Sequence, residues 1–301
     1  MIQSAIVPVA GFGTRLLPAT KSQPKEMLTV ARKPIVQYVA EELIANGLTQ
    51  ILFVTSRNKA SIENHFDSDP ELGRALSAAG KHHLLNQISF EHTPAHFFYT
   101  RQRTQRGLGD AVRCGENFAG EQPFVVALGD SILGLNGESK TVERMMEVFE
   151  SRHASCVIAV EEVPIEETCH YGVVQPEGAI DDGSFRVVNL VEKPKPEDAP
   201  SNLAIAGRYV FSPLIFDQLR RIEPDARGEV QLTNAIQLLC EEGKRVLAVR
   251  LAPGEKRYDI GNFRSYFETF VEFALADPEY GGDFRRTLER LLGQASMAAR
   301  K

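Results

Sequence analysis

A short stretch near the N-terminus combines glycines with two cations. Residues 5–9 form an apolar run typical of a buried strand, and Gly11 and Gly13 follow it directly. Glycine lets the backbone turn sharply and brings its N–H groups close to an anion. Arg15 and Lys25 come next, in a segment held by prolines. A strand, a glycine turn and two cations in this order are what a polyphosphate site requires.

Three interpretations of the glycine turn compete. Gly11 and Gly13 could begin a dinucleotide-binding fingerprint, but Leu16 stands where the third glycine is needed. A phosphate-binding P-loop needs Gly-Lys-Ser/Thr at its end, and the sequence lacks it here. The third interpretation is an ordinary strand-to-helix turn, which a bare Gly-x-Gly does not rule out.

Two aspartates lie close to glycine after extended runs. Asp130 follows the apolar run 124–128, which reads as a central strand, and Asp259 follows the predicted strand 245–251. Carboxylates at the ends of buried strands point into the ligand crevice, and Mg²⁺ prefers one or two of them together with phosphate oxygens. Both residues are therefore candidate metal ligands. For Asp130 the alternative is a helix N-cap.

Gln102 and Gly107 follow a third predicted strand, residues 97–99. Ligands of parallel α/β sheets collect at the carboxyl ends of the strands. A side-chain amide pairs both a donor and an acceptor with a nucleobase edge, and a backbone peptide group does the same. These two residues are candidate base contacts in a second glycine loop, and the alternative is a charged surface loop.

Several strings together resemble the signature of sugar-1-phosphate nucleotidylyltransferases, in particular the bacterial UTP–glucose-1-phosphate uridylyltransferases. The first strings are GFGTRLLPAT at 11–20 and PKEML at 24–28. Later stretches agree, and the resemblance covers roughly residues 1–275; they are IENHFD at 62–67, GLGDAV at 107–112, YGVV at 171–174, VEKP at 191–194 and QLT at 231–233.

The resemblance implies a role for each candidate residue. Arg15 and Lys25 would be catalytic, and Asp130 and Asp259 would hold Mg²⁺. The residues that would bind the nucleotide are Ala10, Gly11, Gly13, Thr14, Gln102, Gly107 and Asp130. The residues that would bind the sugar and its phosphate are Gly172, Glu192 and Lys193.

The sugar-binding residues come from a predicted antiparallel pair of strands, 171–175 and 185–191. If the second strand continues, Glu192 and Lys193 alternate sides. A carboxylate suits two vicinal sugar hydroxyls and an ammonium suits a sugar phosphate, but Glu-Lys-Pro by itself is also common as an exposed strand end. Only the resemblance favours the binding role.

The activity that the resemblance implies is uridylyl transfer. A phosphate oxygen of glucose 1-phosphate attacks the α-phosphorus of UTP in line, and UDP-glucose and pyrophosphate are formed with help from Mg²⁺. One alternative is another nucleotidylyltransferase, such as a glucose-1-phosphate thymidylyltransferase. A second is a non-catalytic regulatory homologue, although such relatives lack the loop arginine and Arg15 is present here. A nicotinamide-dependent oxidoreductase lacks support because the third loop glycine is missing.

The elements that must position these residues begin with a parallel βαβ unit. Pro34 opens a predicted helix that ends at Gly47, and residues 51–55 form the next strand. Residues 67–96 carry four histidines, but no thiol or carboxylate cluster completes a zinc site there. The predicted fold is α/β: a Rossmann-like mixed, mainly parallel central sheet flanked by helices, with an inserted antiparallel sugar-binding part and a helical C-terminus.

The domain prediction is one nucleotidyltransferase domain over residues 1–275, followed by a helical tail over 276–301. Within the domain, the nucleotide-binding half covers about 1–155 and the sugar-binding half about 156–262. The resemblance further implies a homodimer or homotetramer.

Composition limits the partners and the location. The net charge of −6 argues against binding to nucleic acid or to an anionic membrane surface. The four cysteines are not in CxxC spacing and lie in or beside apolar sequence, so we expect buried free thiols in a reducing compartment. No N-terminal leader and no membrane-length apolar run are evident, and these features together predict a cytoplasmic location.

Overall fold

The computed structural model describes residues 2–178 and 183–298. The strands are β1 (Ser4–Pro8), β2 (Thr29–Val30), β3 (Lys33–Pro34), β4 (Gln50–Thr55), β5 (His96–Arg101), β6 (Phe124–Ala127), β7 (Ser131–Leu133), β8 (Cys156–Glu162), β9 (Gly172–Pro176), β10 (Ser184–Glu192), β11 (Leu203–Phe211), β12 (Val246–Arg250) and β13 (Arg257–Asp259). The helices are α1 (Ile35–Ala45), α2 (Ala60–Phe66), α3 (Pro70–Ala78), α4 (His82–Ile88), α5 (Gly107–Arg113), α6 (Glu116–Ala119), α7 (Thr141–Ser151), α8 (Leu214–Arg221), α9 (Leu232–Glu241), α10 (Phe263–Ala276) and α11 (Gly281–Ala298).

One nine-stranded sheet runs through the molecule in the order β5-β4-β1-β6-β11-β8-β12-β10-β9. Strands β4, β1 and β6 pair in parallel, as do β8 and β12. Strand β11 is antiparallel to β6 and β8, and β10 is antiparallel to β12 and β9. Most strands therefore point the same way, which confirms the predicted mixed, mainly parallel sheet with an antiparallel part.

The centre of the sheet is buried on both faces. Side chains of β1 alternate between two hydrophobic clusters, since Ile6 belongs to one and Ala5 and Val7 to the other. Every residue of β11 is buried. Helices cover both faces, as expected where strands read as continuous apolar runs.

The carboxyl ends of the parallel strands meet at one edge of the sheet. Strand β1 ends before the glycine turn, β5 ends before Gln102, and β6 ends before Asp130. This edge is where ligands bind in open α/β sheets. The predicted site residues of the first half therefore face a common crevice.

A third, smaller cluster lies beside that crevice. It joins Leu16 of the glycine turn to Ile132 of β7, Tyr258 of β13 and Phe273 of α10. Strands β7 and β13 form an antiparallel ribbon in which Asp259 pairs with Ser131. The C-terminal helices α10 and α11 confirm the predicted helical C-terminus, and residues 299–301 of the predicted tail lie outside the described residues.

Two local predictions need correction. The second glycine loop is instead the start of helix α5, which begins at Gly107 in the left-handed region with φ of +86°. Residues 67–96, to which the sequence assigns no element, form mainly helices α3 and α4, and neither helix buries a residue fully.

The expectation of buried thiols is right for Cys156 only. Cys169 and Cys240 are half-buried and Cys114 is exposed; all four are free. At the end of α5 it is Gly115, and not the neighbouring thiol, that packs on β1. A Cβ at Gly115 would lie 2.4 Å from Cδ1 of Ile6.

Among the described helices, none has the length and apolar character needed to cross a membrane.

Candidate active site

The glycine turn wraps around the side chain of Lys25. Gly13 has φ of +66°, and a Cβ there would lie 3.3 Å from Cβ of Lys25. The hydroxyl of Thr20 donates to the carbonyl of Gly13 at 2.8 Å and fixes the turn. A Cβ on Gly11 would lie 3.8 Å from Cε of Lys25. Glycine at these positions therefore brings the backbone close to the lysine.

Lys25 forms an ion pair with Asp130 at the base of this turn. Burial by itself lowers the pKa of Lys25, but the carboxylates of Asp130, Glu26 and Asp259 more than offset it and raise the pKa above its ordinary value. Burial by itself raises the pKa of Asp130. The contact with Lys25 outweighs burial, so the pKa of Asp130 is lowered. Both groups are charged at neutral pH.

Asp259 lies next to Asp130 because strands β7 and β13 pair. The N–H of Ile260 donates to the carbonyl of Asp130 at 3.1 Å, which fixes the two segments. Burial, then repulsion from Asp130, raises the pKa of Asp259, while Arg257, Lys25 and Arg15 partly counteract this. The ribbon thus holds two carboxylates close enough to repel each other.

Arg15 reaches the same place from the glycine turn. A Cβ on Gly261 would lie 3.1 Å from Nη2 of Arg15 and 3.1 Å from Oδ2 of Asp259. Gly261 therefore leaves room for the guanidinium beside the carboxylate. The structure brings together Arg15, Lys25, Asp130 and Asp259, which come from three distant parts of the chain.

The two carboxylates suit a divalent cation. Burial and then repulsion from Asp130 raise the pKa of Asp259, and a hard cation between the two carboxylates would relieve that repulsion. Two carboxylate ligands leave positions for phosphate oxygens, as is usual for Mg²⁺. Within residues 2–178 and 183–298, no group of three or more His, Cys, Asp or Glu side chains could hold a metal by itself.

Gln102 is buried at the end of β5, and its amide nitrogen is bound within the protein. Nε2 donates to Oδ2 of Asp110 at 2.8 Å and to the carbonyl of Gly107 at 3.1 Å. The expectation that this amide offers both a donor and an acceptor to a base is therefore wrong for the donor. Only Oε1 is left for a ligand.

The predicted sugar residues meet at the β9–β10 pair. Gly172 pairs with Glu192, and Oε2 of Glu192 accepts a 2.6 Å hydrogen bond from Thr233. A Cβ on Gly172 would lie 3.2 Å from that oxygen. Glycine thus keeps the space in front of the carboxylate open.

The sequence predicts that Glu192 and Lys193 alternate sides of a continuing strand, but in the structure they do not. Strand β10 ends at Glu192, and Lys193 turns into the left-handed region with φ of +47°. Its Nζ comes 3.2 Å from Oε1 of Glu192. The turn therefore places both charged groups on the same side.

Arg257 is a site residue that the sequence reasoning missed. Its guanidinium lies 4.2 Å from the ring centroid of Tyr171 and is paired with Glu161. Burial lowers the pKa of Arg257, but Glu161 and Asp259 outweigh this and raise it. Its guanidinium therefore interacts with both the Tyr171 ring and the Asp259 carboxylate. The only signal in the sequence is its position two residues before Asp259.

A family model described as nucleotidyl transferase matches residues 4–274. The chain belongs to the nucleotidyl transferase family. This confirms the resemblance on which the site was predicted, and it favours the transferase over a nicotinamide-dependent oxidoreductase.

Individual relatives in this family are similar over nearly the whole chain. The UTP–glucose-1-phosphate uridylyltransferase of Bacillus subtilis is 44% identical over 296 residues, which are 97% of this chain and 98% of that protein. The UTP-bound UGPase from Acinetobacter baumannii superposes with a TM-score of 0.86 at 37% identity, covering 97% of this chain and all of that one (100%). A UDP-glucose pyrophosphorylase complexed with UDP-glucose superposes with a TM-score of 0.80 at 36% identity. The match covers 92% of this chain and 100% of that one.

Proposed function

We propose that this chain is a UTP–glucose-1-phosphate uridylyltransferase, which forms UDP-glucose and pyrophosphate from UTP and glucose 1-phosphate. The observation that carries this proposal is the meeting of Arg15, Lys25, Asp130 and Asp259 at the carboxyl edge of the sheet. Relatives at 44% identity carry that name, and one solved neighbour binds UTP.

The reaction requires two anionic substrates, UTP and glucose 1-phosphate, to be held together, and it does not require a strong general base. The attacking phosphate oxygen of glucose 1-phosphate is already anionic, so catalysis consists of positioning and charge stabilisation. Lys25 would act on the α-phosphate. Arg15 and the backbone N–H groups of residues 10–14 would hold the β- and γ-phosphates as pyrophosphate leaves.

Asp130 and Asp259 would hold Mg²⁺ in the loaded site. When bound, the ion would neutralise part of the negative charge on the phosphates. In the structure Lys25 supplies the positive charge that offsets the charge of Asp130. In the loaded site, Asp130 would serve as a metal ligand and the ammonium group of Lys25 would contact the α-phosphate.

The other parts of the crevice would position the two substrates. Gln102 and Gly107 would contact the uracil, Gly172 and Glu192 the glucose hydroxyls, and Lys193 the sugar phosphate. The division into a nucleotide-binding half, residues 1–155, and a sugar-binding half, residues 156–262, belongs to this proposal.

A pyrophosphate-release assay tests the function. Purified protein with UTP, glucose 1-phosphate and Mg²⁺ is expected to release pyrophosphate and form UDP-glucose. A competition between UTP and dTTP separates it from a thymidylyltransferase. Protein that binds UTP but releases no pyrophosphate with any sugar phosphate would instead be a regulatory homologue.

We further propose a homodimer or homotetramer in the cytoplasm. Apolar side chains are exposed on and between the last two helices: Phe267, Tyr280, Leu291 and Leu292. Exposed apolar side chains of this kind suit contact with a second copy. Light scattering coupled to size exclusion measures the assembly.

The four free cysteines fit a reducing compartment such as the cytoplasm.

A further inference from the structure

Asp110 holds a buried carboxylate directly behind Gln102. Its side chain is only 6% exposed, and its Oδ1 accepts from Nη2 of Arg106 at 2.9 Å and of Arg113 at 3.2 Å. The other oxygen, Oδ2, accepts from Nε2 of Gln102 at 2.8 Å. The two arginines therefore fix the carboxylate, and the carboxylate fixes the amide.

The neighbours of Gln102 allow one orientation of its amide. The two atoms next to Nε2 are a carboxylate oxygen of Asp110 and the carbonyl oxygen of Gly107. The carbonyl has no proton to donate, and the carboxylate is held by two arginines. A flipped amide would place Oε1 against two acceptors, so that the flip is strongly disfavoured. Among the described residues none donates a hydrogen bond to Oε1, which is left as an acceptor.

We propose that Asp110 is a positioning residue that selects the nucleobase through Gln102, an inference that rests on the proposed function. An acceptor fixed at this place pairs with the N3–H of uracil. Cytosine has a lone pair at N3, so Oε1 of Gln102 and N3 of the base would face each other as two unpaired acceptors. A polar site rejects a wrong substrate strongly when binding leaves such buried groups unpaired. To offer its exocyclic amine instead, cytosine would shift by one ring position and displace its ribose.

The same contact makes no distinction between uracil and thymine, because both carry N3–H. The Asp110–Gln102 pair therefore separates UTP and dTTP together from CTP. Any preference of UTP over dTTP arises elsewhere in the crevice.

The test is the ratio of kcat/KM for UTP to that for CTP in Asp110→Asn. The asparagine keeps the shape and an oxygen for the arginines, but it turns an NH₂ group toward Gln102. We expect the ratio to fall by about tenfold or more, the factor that one lost hydrogen bond supplies. KM for UTP should rise while kcat changes little, because a base contact stabilises ground state and transition state alike.

The matched control is Glu242→Gln. Glu242 accepts from Nε2 of Gln218 at 3.0 Å and pairs with Arg221, so it repeats the arrangement just after the C-terminal end of α9, outside the crevice. Its variant should keep the wild-type ratio. A second check is Asp110→Asn in a Gln102→Leu background, where it should cause no additional change in the ratio if Asp110 acts through Gln102.

A folded Asp110→Asn protein whose UTP-to-CTP ratio stays within about twofold of wild type overturns the proposal. If that variant does not fold, Arg106→Gln combined with Arg113→Gln decides instead. These side chains are 52% and 35% exposed, and their loss frees the carboxylate, so the ratio must fall. A wild-type protein that releases no pyrophosphate from UTP would contradict the proposed function itself, whereas an active wild type with unchanged ratios in the variants contradicts only the role of Asp110.

Discussion

Lys25 and Asp130 compensate each other's charge. Each is mostly removed from water, with side chains 17% and 18% exposed, and each keeps its charge because the other is present. A buried charge without a partner is costly. The pair therefore keeps a cation and an anion ready at the point where the triphosphate and its metal would bind.

We expect Lys25→Ala and Asp130→Ala each to lower kcat by about a hundredfold or more, since removal of one electrostatic stabiliser has that effect in other enzymes. Pyrophosphate release under saturating substrates measures this. Lys140→Ala is the control, because Lys140 makes an exposed ion pair with Glu143 on the surface. Wild-type turnover in either site variant would contradict the assigned role.

His65 should make the stability depend on pH. Burial lowers its pKa from the ordinary 6.5, and Glu41 offsets this only in part. The unfolded chain then binds the proton more readily than the folded chain, so that protonation favours unfolding. The contribution is complete above the unfolded pKa and is lost as the pH falls through the lower folded value.

We therefore expect the free energy of unfolding to fall more steeply below about pH 6.5 in wild type than in His65→Gln. Urea unfolding at a series of pH values measures the difference. His82→Gln, an exposed change on α4, should keep the wild-type dependence. Parallel curves for wild type and His65→Gln would exclude the effect.

At the level of elements, Arg208 of β11 connects α1 to the segment that carries Asp130. Its guanidinium is fully buried and pairs with both carboxylate oxygens of Glu42, at 3.1 Å and 2.6 Å. It also donates to the carbonyls of Ser131, Gly207 and Leu128, at 2.8, 3.0 and 3.4 Å. All five of its hydrogens have acceptors. Two of these acceptors flank Asp130, so the arginine fixes the position of that aspartate.

Arg208→Met should cost about 3–5 kcal/mol of unfolding free energy, because it leaves the Glu42 carboxylate buried and unpaired. Arg208→Met combined with Glu42→Leu should cost less than the sum of the single changes. Chemical denaturation measures all three. Arg264→Met, which breaks an exposed pair with Glu268, is the control and should have little effect. Additive costs would show that the pair is not coupled.

The elements that sequence predicts well are those with strong apolar runs. Strands β1, β4, β6 and β11 bury both faces, and their sequences are correspondingly continuous. Helices α3 and α4 were not predicted; both are short, and neither buries a residue fully. The turn at Lys193 was not predicted either, since its positive φ occurs at a residue type that rarely adopts it.

On the scale of the whole molecule, substrate binding should stabilise the fold. The candidate site takes residues from the first turn, from the segment after β6 and from the ribbon of β7 and β13, so a ligand there connects distant parts of the chain. UTP at about a hundredfold its Kd should add about 2.7 kcal/mol to the free energy of unfolding. Thermal unfolding should show a rise of several degrees in Tm.

This rise should depend on Mg²⁺ and on Asp259. UTP with a chelator should raise Tm less than UTP with Mg²⁺, and in Asp259→Asn the two conditions should give nearly the same Tm. Lys140→Ala serves again as the variant with wild-type behaviour. An equal rise with and without Mg²⁺ in the wild type would contradict a metal held by Asp130 and Asp259.

The candidate site was predictable as a set of residues but not as a geometry. Each motif lies at a strand end, and parallel strands bring their carboxyl ends together, so the convergence of Arg15, Lys25 and Asp130 follows from the fold class. The ion pair of Lys25 with Asp130 and the fixed amide of Gln102 depend on side-chain packing between segments far apart in sequence. Arg257 was missed for the same reason.

The place of β11 in the centre of the sheet affects how the protein is made. Its neighbours β6 and β8 leave the ribosome well before it does, and each then presents an apolar strand edge without a partner. Such edges pair readily with the wrong nascent chain. We therefore expect translation beyond residue 211 to be needed before the edges that face β11 are covered. A message truncated upstream of that point should yield insoluble fragments.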